Sequence, residues 1–185
     1  MTRDRFIKHI PNTLTLTNLS LGLGAILFLI QSENPQRILI AAVLIMLGAL
    51  GDFFDGFLAR KLNAVTAIGK QLDSFADIIT FGVAPILLIN YVSQCRQIAF
   101  ILGSSLIFIT AGAYRLARFN LHDFSKHFVG LPITGAGIAL TIYCIAYPLW
   151  LTYLCYDFST LITTGFIILL SVLMISSKKV RRILS

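Results

Sequence analysis

Six long apolar runs set what this chain can become. They fall at about 13–30, 38–59, 72–92, 97–117, 131–154 and 158–175. A bilayer core of about 30 Å takes roughly 20 apolar residues per helix, and each run is near that length. Mean hydropathy is +0.85 and only 12% of the residues are charged. That is too little charge to cover a water-facing surface of this size. The expected fold is an all-α membrane protein of six transmembrane helices. The spans leave almost no length for a soluble unit, so a single domain over 1–185 is expected. The first run has a basic start, as a signal peptide does. Five spans follow it and no small-residue cleavage site stands out, so it reads as a retained helix. Pro148, in the fifth run, is a candidate kink.

The net charge of +7 has a positional explanation. With a cytoplasmic N-terminus, the inner segments carry Arg3, Arg5, Lys8, Arg60, Lys61, Lys70, Arg115, Arg118, Lys126, Lys178, Lys179, Arg181 and Arg182, and the outer segments only Arg37 and Arg96. Thirteen against two is a positive-inside pattern, and it places both termini in the cytoplasm. These residues also meet anionic headgroups, so the charge does not call for nucleic acid. The segment RDRFIKHI suits either a short interfacial helix, with Phe6, Ile7 and Ile10 toward lipid, or a plain basic flank. Cys95, Cys144 and Cys155 show no metal spacing and no disulfide framework. His9, His122 and His127 do not cluster and read as solvated or interfacial.

Against this apolar background, residues 51–77 hold four of the eight acidic residues: Asp52, Asp55, Asp73 and Asp77. They straddle the hairpin between the second and third spans. At 1.5 Å per residue, Asp52 lies about 12 Å below Arg60, inside the membrane but not at its centre. Helical phase puts Gly48, Asp52, Asp55, Gly56 and Ala59 on one face. On the third span, Gly69, Asp73, Asp77, Thr80 and Ala84 share another. Two carboxylates on each of two antiparallel helices therefore converge. Ionised carboxylates at this depth are costly unless paired or solvated. All-oxygen ligands favour a hard cation such as Mg²⁺, Mn²⁺ or Ca²⁺, and four carboxylates suit two bridged ions. The carboxylates alone fit metal catalysis and ion transport equally well.

The stretch reads Asp52-x-x-Asp55-Gly56-x-x-Ala59-Arg60, then eight residues, then Gly69-x-x-x-Asp73-x-x-x-Asp77. It resembles the signature of the CDP-alcohol phosphotransferases, membrane enzymes of phospholipid synthesis. All eight fixed positions are present at matching spacing, and the resemblance extends over essentially the whole chain. It implies a six-helix homodimer in the cytoplasmic membrane, with a site facing the cytoplasm. It implies that an alcohol attacks the lipid-side phosphate of a CDP-activated lipid such as CDP-diacylglycerol, and that CMP leaves. Two divalent ions, Mg²⁺ or Mn²⁺, with Ca²⁺ as a further candidate, would be held by Asp52, Asp55, Asp73 and Asp77. Asp77 would also be the catalytic general base. The CDP-lipid would meet Asp52, Gly56, Ala59, Arg60 and Thr66. Gly56 and Ala59 leave room at the backbone, and Arg60 suits bidentate phosphate binding. Asn12 and Thr15 match the polar start of the family's first helix, or alternatively cap a helix after Pro11.

The acceptor alcohol must be read elsewhere. AYRLARFN (113–120) puts Arg115 and Arg118 on one helical face, level with the aspartates. FVGLPITGAG follows at 128–137. The pairing of these segments resembles the bacterial and archaeal phosphatidylserine synthases of the family, although Thr134 stands where a second proline is common. L-Serine is then the implied acceptor, with Arg115 or Arg118 for its carboxylate and Asn120 for a further hydrogen bond. The arginines equally serve as headgroup anchors. Glycerol phosphate remains the alternative acceptor. A cation- or proton-coupled transporter is the alternative of another class, but it predicts midplane carboxylates and internal repeats, and neither is evident.

Overall fold

A computed structural model describes residues 2–31, 36–62, 66–93, 98–121, 128–150, 156–176 and 179–180. The described residues are almost entirely helical. The helices are α1 (Thr2–Gln31), α2 (Arg37–Lys61), α3 (Ala67–Asp77), α4 (Ala84–Ser93), α5 (Ile98–Leu121), α6 (Ile133–Trp150) and α7 (Tyr156–Ile175). A π-helical turn, Ile78–Val83, joins α3 to α4, so that Ala67–Ser93 forms one continuous rod. Among the described residues, five rods are long and apolar enough to cross a membrane: Asn12–Gln31, Arg37–Lys61, Ala67–Ser93, Ala99–Leu121 and Phe158–Ile175. The apolar part of α6, Ile133–Leu149, is shorter. It accounts for most of the expected fifth span, whose last residues lie outside those described. Pro148 lies inside α6, and the helix continues past it to Trp150.

Leu27 on α1, Leu50 and Phe53 on α2, Leu106 on α5 and Leu161 on α7 all point outward. An apolar exterior around a packed core is what a bilayer-embedded chain requires. The helical backbone runs unbroken from Thr2 to Gln31. RDRFIKHI therefore forms the opening turns of α1, continuous with the first apolar rod.

The rod containing the π turn is the centre of the bundle. The turn touches α1, α2, α5 and α6 as well as its own neighbours α3 and α4. Its cause is legible in the residues. Pro85 has no N–H for the carbonyl of Phe81, and a proline ring in regular α geometry clashes with that carbonyl. Widening the preceding turn relieves the clash: the Ala84 N–H reaches back to the carbonyl of Ile79, five residues away. The even 3.6-residue phase expected from Gly69 through Ala84 is therefore broken after Asp77.

Three glycines let neighbouring helices close on this turn. A Cβ on Gly22 would lie 2.8 Å from the Thr80 Cα, and one on Gly48 2.8 Å from the Thr80 Cγ2. A Cβ on Gly137 would lie 2.6 Å from the Phe81 carbonyl oxygen. Close backbone approach through small residues is how membrane helices pack. Phe81, Leu88, Ile89, Phe108, Ile133, Leu140, Ile167 and Met174 fill the surrounding core. At the far end of α2, the Arg37 guanidinium lies 4.7 Å from the Tyr91 ring centroid. That contact ties the start of α2 to the end of α4 and fixes them as antiparallel neighbours.

Among the described residues, the expected all-α chain has one small exception. Phe128–Val129 (β1) pairs antiparallel with Lys179–Val180 (β2). Beside this pair, Gly130 adopts φ 73°, a left-handed conformation that glycine takes without Cβ strain. The Leu131 N–H donates to the Leu173 carbonyl at 3.0 Å. The end of α7 thus holds the segment that leads into α6.

Candidate metal centre and active site

Asp52 and Asp55 come from α2, Asp73 and Asp77 from α3. The hairpin between these helices is shaped at its return by Thr66. Its side chain accepts a hydrogen bond from the Gly69 N–H at 3.0 Å and caps α3. A Cβ on Gly69 would lie 2.9 Å from both the Asn12 Oδ1 and the Thr66 Oγ1. The signature glycine is thus the floor on which Asn12 of α1 meets the α3 cap.

The aspartates converge as helical phase predicts. One carboxylate oxygen from each of Asp52, Asp55 and Asp73 lies within 4.8 Å of the others. Asp55 is buried, Asp52 and Asp73 half-buried. Asp77 is buried behind them, within electrostatic reach of all three and of the Arg115 guanidinium. Its Oδ1 has no hydrogen-bond partner among the described residues. Burying charges of one sign this closely is unfavourable without a counter-charge. The single buried arginine described beside them does not balance four carboxylates. A hard divalent cation fits the donor set: oxygen ligands only, converging from two rigid helices, with a buried carboxylate oxygen still unpartnered.

Two α2 aspartates are held from outside the cluster. The Thr15 hydroxyl of α1 donates to Asp55 Oδ2 at 3.0 Å, and the Thr134 hydroxyl of α6 donates to Asp52 Oδ2 at 3.2 Å. Arg60 folds back along α2, and its guanidinium nitrogen lies 3.6 Å from where a Gly56 Cβ would be, an ordinary contact distance. Ala59 is half-buried nearby on α2.

The second sequence cluster is helical and forms the last turns of α5. Arg115 is buried, with its Nε unpartnered among the described residues. Arg118 is half-buried. Asn120 donates from Nδ2 to Ser74 Oγ at 2.9 Å, which clips α5 to α3 beside Asp73. The side chain of His9, and all of His122 and His127, lie outside the described residues.

Sequence reasoning missed two groups here. Thr134 stood out only as a departure from proline. Asn18 was not singled out, although its side chain is fully buried against Gly48 and Gly51 and its backbone carbonyl accepts from the Thr80 hydroxyl. Its signal was present: Asn12, Thr15, Asn18 and Gly22 make a helically spaced stripe of polar and small residues on an apolar helix.

The geometry agrees with comparison to known proteins. The CDP-alcohol phosphatidyltransferase family model matches residues 8–178. The chain belongs to this family. It is 41% identical over 144 residues to the Bacillus subtilis (strain 168) protein named CDP-diacylglycerol–serine O-phosphatidyltransferase, covering 76% of this chain and 78% of that one. It is 34% identical over 178 residues to the archaetidylserine synthase of Methanothermobacter thermautotrophicus, covering 94% of this chain and 70% of that one. The similarity to the CDP-diacylglycerol–glycerol-3-phosphate 3-phosphatidyltransferase of Rickettsia bellii is 35% over 83 residues, 45% of each chain. Family enzymes depend on divalent metal, and the aspartate cluster is where this chain would hold it.

Proposed function

We propose that the chain transfers a phosphatidyl group from CDP-diacylglycerol to the hydroxyl of L-serine, giving phosphatidylserine and CMP. The reaction class rests on one observation above others: Asp52, Asp55 and Asp73 converge within 4.8 Å beside buried Asp77. Similarity to serine-using relatives runs over most of the chain, whereas the glycerol-phosphate relative matches less than half of it. That contrast favours serine as acceptor.

In this reading Asp52, Asp55, Asp73 and Asp77 hold two divalent ions, Mg²⁺ or Mn²⁺. When bound, these supply Lewis-acid polarisation of the diphosphate and neutralise charge on departing CMP. Asn12, Thr15, Asp52, Gly56, Ala59, Arg60 and Thr66 bind the CDP-lipid, with Arg60 against phosphate. Asp77 takes the proton of the serine hydroxyl as that oxygen bonds to the lipid-side phosphorus and the bond to CMP breaks. Arg115, already within reach of Asp77, receives the serine carboxylate, with Arg118 and Asn120 alongside. The positive-inside pattern supports six spans, both termini in the cytoplasm and a site opening there, where serine and CMP are soluble. The outward apolar faces suit a homodimer in the membrane.

The test is CMP release by purified protein given CDP-diacylglycerol and Mn²⁺ or Mg²⁺. L-Serine, glycerol 3-phosphate, inositol and inositol phosphate are compared as acceptors, with Asp77→Asn as control. Release with serine alone, lost in the control, is expected. Release with another alcohol instead keeps the chemistry and overturns the acceptor. No release with any acceptor, in folded protein, overturns the reaction.

A further inference from the structure

We infer that Thr134 is a positioning residue for the metal centre: its hydroxyl fixes the Asp52 carboxylate so that one oxygen is held by protein and the other is presented to the cation. This rests on reading the aspartates as a divalent-metal site.

Hydroxyls in the helices of this chain mostly turn back on their own helix. Thr17, Ser20, Thr110, Thr141 and Ser171 each donate to the carbonyl four residues earlier. This is the usual fate of such groups in apolar surroundings. Thr134 lies in the first turn of α6, where the residue four back, Gly130, precedes the helix. Its hydroxyl crosses instead to Asp52 Oδ2, 82 residues away in sequence.

The start of α6 is itself anchored, so the aim of Thr134 is set by structure. The Ala136 N–H donates to the Pro132 carbonyl at 3.0 Å and the Leu131 N–H to the Leu173 carbonyl at 3.0 Å. Gly130 fits under the carbonyls at the end of α7, where a Cβ would lie 2.6 Å from the Met174 oxygen. On the other side, Gly137 seats α6 on Phe81 of the π turn. That turn begins directly after Asp77. A continuous set of contacts thus runs from the end of α7 through Leu131 and the first turn of α6 to a carboxylate on α2.

The chemistry makes this bond consequential. Metal-ligating carboxylates are oriented by donors behind them, and loss of such a donor weakens metal binding by about 10–100-fold. Asp55 has the same arrangement, with Thr15 on its Oδ2. Both aspartates of α2 are therefore braced by a hydroxyl from another helix, α1 on one side and α6 on the other. These bonds hold the pair in register with Asp73.

The experiment is Mn²⁺ binding to the purified full-length protein without substrate. Free Mn²⁺ is followed by electron paramagnetic resonance, alongside thermal unfolding of the metal-free protein. Thr134→Val removes the donor at nearly constant shape, and Thr134→Ser keeps it. The expected result is Mn²⁺ affinity lowered at least 10-fold in Thr134→Val and restored to within about threefold in Thr134→Ser. Affinity unchanged in Thr134→Val overturns the inference. So does a loss of affinity that serine fails to rescue, because that assigns Thr134 to packing alone. A metal-free midpoint lowered in Thr134→Val without any change in Mn²⁺ affinity likewise reduces it to a structural residue. Wild-type protein that binds no Mn²⁺ overturns the metal centre as well, an outcome distinct from failure in the variant only.

Discussion

Gly137→Ala adds one methyl group and should damage both stability and the metal centre. The new Cβ would sit 2.6 Å from the Phe81 carbonyl oxygen, 2.7 Å from its Cβ and 2.8 Å from its Cα. Two of these atoms are backbone, and they belong to a π turn enclosed by α1, α2 and α6, so no flexible side chain can give way. Ordinary contact starts at 3.4 Å. Moving from 2.6 to 3.4 Å requires α6 and the turn to separate by about 0.8 Å. Overpacking of this kind costs about 1–3 kcal/mol. For a chain of this size that lowers the unfolding midpoint by about 2–4 °C per kcal/mol. Thr134 is three residues away on the same helix, and its bond to Asp52 is already 3.2 Å long. A comparable shift there takes the pair outside hydrogen-bonding range. The assay is thermal unfolding with and without Mn²⁺ in detergent, with Gly165→Ala as control, since a Cβ on Gly165 meets nothing within 4 Å. The control should match or exceed wild type in stability. A Gly137→Ala protein with wild-type midpoint and wild-type Mn²⁺ affinity would refute the argument that glycine packing on the π turn sets the site.

Two further outcomes are expected at the site itself. Asp77→Asn should abolish serine-dependent CMP release, by at least 100-fold, while CDP-diacylglycerol still binds through the remaining ligands; turnover near wild type would remove the base assignment. Arg115→Ala should raise the KM for serine roughly 10–100-fold, the worth of a charge-assisted hydrogen bond, with a smaller change in KM for CDP-diacylglycerol. Equal changes in both constants would return Arg115 to its role as a buried counter-charge for Asp77.

The residues that were legible in the sequence are those whose chemistry conflicts with their surroundings. Four carboxylates in an apolar chain have few explanations, and helical phase was enough to bring Asp52, Asp55 and Asp73 together. Phase works there because α2 and α3 are regular helices on either side of a short return. It fails after Asp77, where Pro85 forces a wider turn, and a period of 3.6 carried through that turn puts later residues in the wrong place. Phase also says nothing about contacts between distant segments. Thr134 meets Asp52 because α7, Gly130 and Gly137 together set the start of α6, and no local pattern in GLPIT encodes that meeting. The same reasoning separates the two arginines, which sequence could only pair. Arg115 and Arg118 are three residues apart on one helix, but Asn120 clips α5 to Ser74, and in that pose Arg115 is the buried one, within electrostatic reach of Asp77. Burial removes the headgroup-anchor explanation for Arg115, since an anchor must reach the interface. A buried cation within electrostatic reach of Asp77 has two uses left, to balance that carboxylate or to receive an anionic group of the acceptor. The comparison of the two KM values in Arg115→Ala distinguishes between them.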